Sequence, residues 1–222
     1  MSLREFKEED FGRLTKTILI SLVTSFVVFG LIYFFKLKYI ENFTGKYGFY
    51  IFFAILSYAL IMPSMRKIRE YKELPCMSGM MIGMTIGMIA GLLSGFFVGA
   101  TNGMFWGSVW GMLVGIGFGV WSGKCCGIMG VMEGMMAGFM GGLMGAMTAL
   151  MMFNDNLKIA GIVIFIVSAF IMMGLNLMIH KETKSFDKKL NEEDMFTVVL
   201  SFTLTALTIW LIVFGPRSAL FQ

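Results

Sequence analysis

Glycine falls at every fourth position from Gly79 to Gly127, through Gly83, Gly87, Gly91, Gly95, Gly99, Gly103, Gly107, Gly111, Gly115, Gly119 and Gly123. The series slips by one and resumes at Gly130, Gly134, Gly138 and Gly142, with Gly141 and Gly145 alongside. Few folds tolerate this. A glycine in an exposed helix costs about 1 kcal/mol relative to alanine, so such a run melts unless close backbone approach compensates. A step of four residues turns a helix by about 40°, and the glycines therefore line a slowly winding groove. In lipid, where apolar burial does not drive helices together, grooves of small residues are how helices pack. Cα–H···O contacts contribute there as well.

That the surroundings are lipid follows from the rest of the chain. Its 222 residues are 57% hydrophobic and 14% charged, with a mean hydropathy of +0.79, whereas soluble domains carry about 25% charged residues. A span needs about 20 apolar residues. Division at polar punctuation predicts seven: Leu14 to Phe35, Tyr47 to Met65, Met77 to Val98, Gly103 to Trp121, Cys125 to Phe153, Leu157 to Ile179 and Met195 to Phe214. Turns are expected at Ala100-Thr101-Asn102-Gly103, Ser122-Gly123-Lys124 and Asn154-Asp155-Asn156, and Pro75 suits a helix start. The first span is too long for a signal peptide and is kept as an anchor.

The predicted fold is an all-α polytopic membrane protein. Residues 1–13 form a leader, 14–65 a two-helix anchor, 76–153 a Gly/Met-rich core and 157–214 a C-terminal hairpin. The core is expected to be a glycine-zipper three-helix bundle held by Gly83, Gly87, Gly91, Gly107, Gly111, Gly115, Gly130, Gly134 and Gly138, with the bulkier spans packed against it. Residues 218–222, Ser-Ala-Leu-Phe-Gln, read as the remainder of an engineered protease site. Asn42-Phe43-Thr44 fits a glycosylation triplet.

Arg4, Lys7, Arg13, Lys16, Arg66, Lys67, Arg69, Lys72, Lys124, Lys181, Lys184, Lys188 and Lys189 fall on one side of the predicted membrane. Only Lys36, Lys38, Lys46, Lys158 and Arg217 fall on the other. By the excess of Lys and Arg in cytoplasmic segments, the N-terminus is expected inside and the C-terminus outside, most simply in a cell membrane. The +4 net charge is accounted for by these flanking residues, so nucleic acid is not an expected partner. The expected partners are the bilayer, a second copy of the chain or another membrane protein.

Sulfur supplies the functional reading. On a helical projection of the fifth span, Cys126, Met129, Glu133, Met136, Met140, Met144, Met147 and Met151 share an arc of roughly 80°. In the third span Met77, Met80, Met81, Met84 and Met88 share one of roughly 100°. Cys76, Cys125 and Cys126 all fall at the expected cytosolic face, where His180 closes the sixth span. Thiols there stay reduced. Soft ligands leading to thioethers suit Cu(I) or Ag(I), so the expectation is a soft-metal transporter or channel with Cu(I) as its bound or carried ion. Its ligands would be Cys76, Met77, Met84, Met88, Cys125, Cys126, Met129, Glu133, Met136, Met140 and His180. Adjacent cysteines and a single histidine disfavour zinc.

Glu133 would balance the cation or exchange a proton with it; otherwise it is a protonated acid bonded to Asn102, Ser108 or Thr85. Asn176 reads as glue between helices, and Lys124 as an interfacial anchor or a modulator of Cys125. Three alternatives stand beside the metal reading: methionine as flexible filler in a scaffold whose glycines assemble copies or dock a partner, a small-solute permease, and a membrane thiol protein. No Walker loop, dinucleotide fingerprint, nucleophile with a base, or paired intramembrane histidine occurs, so no enzyme is expected.

Overall fold

The computed structural model describes residues 9–35, 47–70, 76–182 and 194–215. Residues 1–8 of the 1–13 leader, the Asn42-Phe43-Thr44 triplet, Pro75, the loop at 183–193 and the terminal Ser218 to Gln222 lie outside them. The described chain is helical throughout: α1 (Glu9–Phe35), α2 (Gly48–Glu70), α3 (Cys76–Asn102), α4 (Met104–Gly123), a 3-10 turn (Lys124–Cys126), α5 (Gly127–Met151), α6 (Leu157–Glu182) and α7 (Asp194–Phe214). It is an all-α polytopic membrane protein. The expected seven spans are corrected to five: among the described residues α2, α3, α4, α5 and α6 are long and apolar enough to cross a bilayer. Among the described residues α1 and α7 contribute the shorter apolar helices Thr15–Gly30 and Val198–Val213.

Two glycines of the four-residue series reverse the chain. Gly103 is the single residue between α3 and α4, at φ 89°, and Gly127 joins the 3-10 turn to α5 at φ 70°. L side chains rarely adopt either conformation.

The other glycines bring α3, α4 and α5 into backbone contact. A Cβ at Gly87 would lie 2.9 Å from the Gly134 carbonyl oxygen and 3.0 Å from the Gly119 Cα. One at Gly111 would lie 2.8 Å from the Gly95 Cα and 2.9 Å from the Gly142 Cα. Each of these positions thus faces two helices at once. The expected tight three-helix core is present, but the zipper description is corrected: the glycines converge on the common axis of the bundle rather than forming a separate zipper stripe.

α3 carries a second face. Ile82, Ile86, Leu93, Phe96 and Phe97 are fully buried on it, and the rings of Phe53 in α2 and Phe97 stack 6.2 Å apart. Phe53 also meets Phe165 of α6 edge-on at 5.5 Å. α1 attaches through α2 and α7: the Ser21 and Ser201 hydroxyls are 3.0 Å apart, and Arg66 donates to the Thr17 hydroxyl at 3.1 Å. Ser64 donates to the Asn176 side-chain oxygen, joining α2 to α6.

The outer helices pack against the core on one side of it. α2, α6 and α7 pack on α3 and α1 on α2 and α7, while among the described residues α5 packs substantially on α3, α4 and the 3-10 turn alone.

Candidate functional site

A metal path along α3 and α5 needs two things, an interior for thioethers to line and ligands that meet. Among the described residues the geometry supplies neither. The space between the helices is filled by glycine backbone: a Cβ at Gly91 would sit 2.8 Å from both the Gly138 carbonyl oxygen and the Gly142 nitrogen. With glycine on the inner face, methionine takes the outer one. Met77 is 82% exposed, Met129 65%, Met136 64% and Met151 72%, and Met84, Met88 and Met140 are exposed as well.

Cys126 is buried in the 3-10 turn; the side chains of Cys76, Cys125 and His180 lie outside the described residues. Among the described residues no three His, Cys, Asp or Glu side chains come together as a metal site. The Cu(I)/Ag(I) transporter reading, and Cu(I) as a bound ion, are therefore corrected. The shared arc on α5 is present, but it faces outward.

That outer face has a composition of its own. On α5 it presents Ile128, Met129, Met132, Met135, Met136, Phe139, Met140, Met144, Met147, Leu150 and Met151. Gly141 and Gly145 pack on the backbones of Met88 and Leu92, which brings the α3 stripe of Met77, Met81, Met84 and Met88 alongside. Elsewhere the exposed apolar surface is built differently. α6 shows Ile159, Ile162, Val163, Ile166, Val167, Phe170 and Ile171, and α1 shows Leu19, Val23, Phe26 and Val27. Lipid solvates either set. Unbranched, polarizable thioethers differ in conforming to an irregular partner surface, a property that branched side chains lack.

Glu133 interrupts the methionine stripe, half-buried and six residues, about 9 Å, into α5. The partners expected for it are engaged elsewhere: Thr85 donates to the Met81 carbonyl, Ser108 to the Phe105 carbonyl and Asn102 to the Leu211 carbonyl. A carboxyl group at this depth is costly against lipid.

Sequence reasoning missed a seam of buried hydroxyls on the other side of the molecule. Thr17, Ser21 and Ser25 on α1 and Ser201, Thr205 and Thr208 on α7 are all buried. Thr205 donates to the Ser201 carbonyl at 2.6 Å and Thr208 to the Leu204 carbonyl at 2.8 Å. These back-bonds satisfy the Thr205 and Thr208 hydroxyls away from water. The Tyr58 hydroxyl sits beside the Trp110 indole and Thr208. The signal was present in the sequence, as hydroxyl residues recurring every three or four positions in otherwise Ile/Val/Phe-rich helices.

No family model, curated protein or solved structure matches this chain.

Proposed function

We propose that this chain is a non-enzymatic assembly subunit of the membrane, and that the methionine face of α5 and α3 binds a second copy of itself. The observation that carries the reading is the contrast within one molecule: an uncovered methionine face on the rigid core, against branched and aromatic lipid-facing surfaces on α1 and α6. The glycines that face the bundle axis, Gly87, Gly91, Gly111, Gly115 and Gly138 among them, are taken up by contacts between the three helices and are not available for association.

A second copy is favoured because one residue type dominates the whole face and can interdigitate with itself about a two-fold axis along the membrane normal. The same axis brings two Glu133 carboxyl groups to one depth, where they hydrogen-bond to each other and leave lipid contact. The N-terminus is cytosolic in this reading. The Lys and Arg asymmetry between the two sides of the chain supports that orientation.

Subunit counting by single-molecule photobleaching, in bilayers at graded protein density, tests the proposal. The wild-type chain is expected to dimerise. The triple change Met136→Ala, Met140→Ala, Met144→Ala should weaken the dimer about tenfold or more, and Ile162→Ala, Ile166→Ala, Phe170→Ala should leave it unchanged. A wild-type monomer at every density, or equal effects of the two triples, would overturn it.

A further inference from the structure

A groove of about 320 Å³ runs between α4 and α7, apolar along nearly its whole lining. On α4 it is lined by Trp110, Leu113, Gly117 and Trp121 among others, and on α7 by Leu200 and Leu204. Gly117 makes a notch in its floor: a Cβ built there meets nothing within 4 Å, unlike the glycines that face the bundle axis. From Trp110 to Trp121 the groove extends about 16 Å along the helix. That is about half the 30 Å hydrocarbon thickness of a bilayer, the depth of one leaflet.

The end near Trp121 carries a charge. Positions 110, 113, 117 and 121 recur at helical spacing, and the next member of that stripe is Lys124, three residues beyond Trp121 and therefore on the same face. Helical backbone continues through Lys124, at φ −57° and ψ −27°, and its side chain is exposed. Tryptophan and lysine at the end of a span mark the headgroup level. Basic residues at the mouth of an interhelical pocket recognise anionic headgroups.

We infer that this groove binds one anionic phospholipid from the leaflet on the Lys124 side. One acyl chain lies along Trp110, Gly117 and Trp121, and the phosphate group rests on the Lys124 ammonium. The length of the groove sets the chain, and the cation sets the headgroup. The site is separate from the methionine face and does not depend on the assembly reading.

Native mass spectrometry of the purified chain, titrated with phosphatidylglycerol and with phosphatidylcholine of the same acyl composition, tests the inference. The first phosphatidylglycerol should bind about fivefold more tightly than the first phosphatidylcholine. Lys124→Gln should abolish that preference while leaving phosphatidylcholine binding unchanged. Gly117→Leu, which fills the notch, should weaken both lipids by about tenfold. Gly174→Leu is the control, because a Cβ at Gly174 also meets open space but the position lies on α6, away from the groove. Equal binding of the two lipids by the wild type, a preference that survives Lys124→Gln, or equal effects of the two glycine variants would each overturn the assignment.

Discussion

Two glycines of α4, two residues apart, separate packing from conformational cost. A Cβ at Gly115 would lie 2.7 Å from the Gly138 carbonyl oxygen and 2.9 Å from the Cα atoms of both Gly138 and Gly91. All three neighbours are backbone, so no side chain can rotate away. To restore ordinary contact at 3.4 Å, α4 must withdraw by about 0.7 Å from α5 and about 0.5 Å from α3, and gaps of that size forfeit a quarter to a half of each dispersion contact. Overpacking of this kind costs about 1–3 kcal/mol, with the upper end expected where only backbone can yield. The better helix propensity of alanine offsets about 1 kcal/mol. Gly115→Ala should therefore destabilise by about 2 kcal/mol, lowering the unfolding midpoint by about 4–8 °C for a chain of this size. At Gly117, where a Cβ meets nothing, alanine gains propensity without strain and should raise the midpoint by up to about 2–4 °C. Thermal unfolding in a mild detergent, followed by tryptophan fluorescence, measures both. A Gly115→Ala midpoint equal to or above that of Gly117→Ala would refute the three-way backbone packing.

The hydroxyl seam should be energetically modest. A double-mutant cycle of Ser21→Ala and Ser201→Ala, in the same unfolding assay, is expected to give a coupling of about 0.6 kcal/mol, within the range of interhelical hydrogen bonds in membranes. Methionine oxidation by dilute hydrogen peroxide, mapped by peptide mass spectrometry, should run fast at Met136, Met140 and Met173 and slowly at buried Met62 and Met172 in detergent. In bilayers at high protein density Met136 and Met140 should become protected, while Met173, 61% exposed on α6, stays reactive.

Much of the core was legible before its coordinates. Glycine at four-residue spacing in lipid has one economical use, and the turn at Gly103 followed from Asn102-Gly103 interrupting an apolar run. What the projection could not supply was direction. Placing Met129, Met136 and Met140 on one arc is a statement about angle, and either side of α5 could have been the interior. The glycines decide it, because Gly134 and Gly138 leave no room for a side chain at the axis. Read that way, the sequence already excluded a thioether-lined path. Glu133 was expected to find Asn102, Ser108 or Thr85, but those groups are bound locally or to α7. No periodicity reveals which helix a polar side chain will meet.

The central claim is that the methionine face of α5 meets another copy. Single cysteines placed in turn at positions 129 to 151 of α5, oxidised in membranes and compared with Ile166→Cys on α6 and with the unsubstituted chain, test it most directly. A symmetric interface brings equivalent residues near its axis to the 4.4–6.8 Å Cα separation that a disulfide requires. The account predicts dimer cross-links that rise and fall with helical period, with maxima among positions 136, 140, 144 and 147. It would be contradicted by a scan without periodicity, or by cross-linking at α5 no stronger than at position 166.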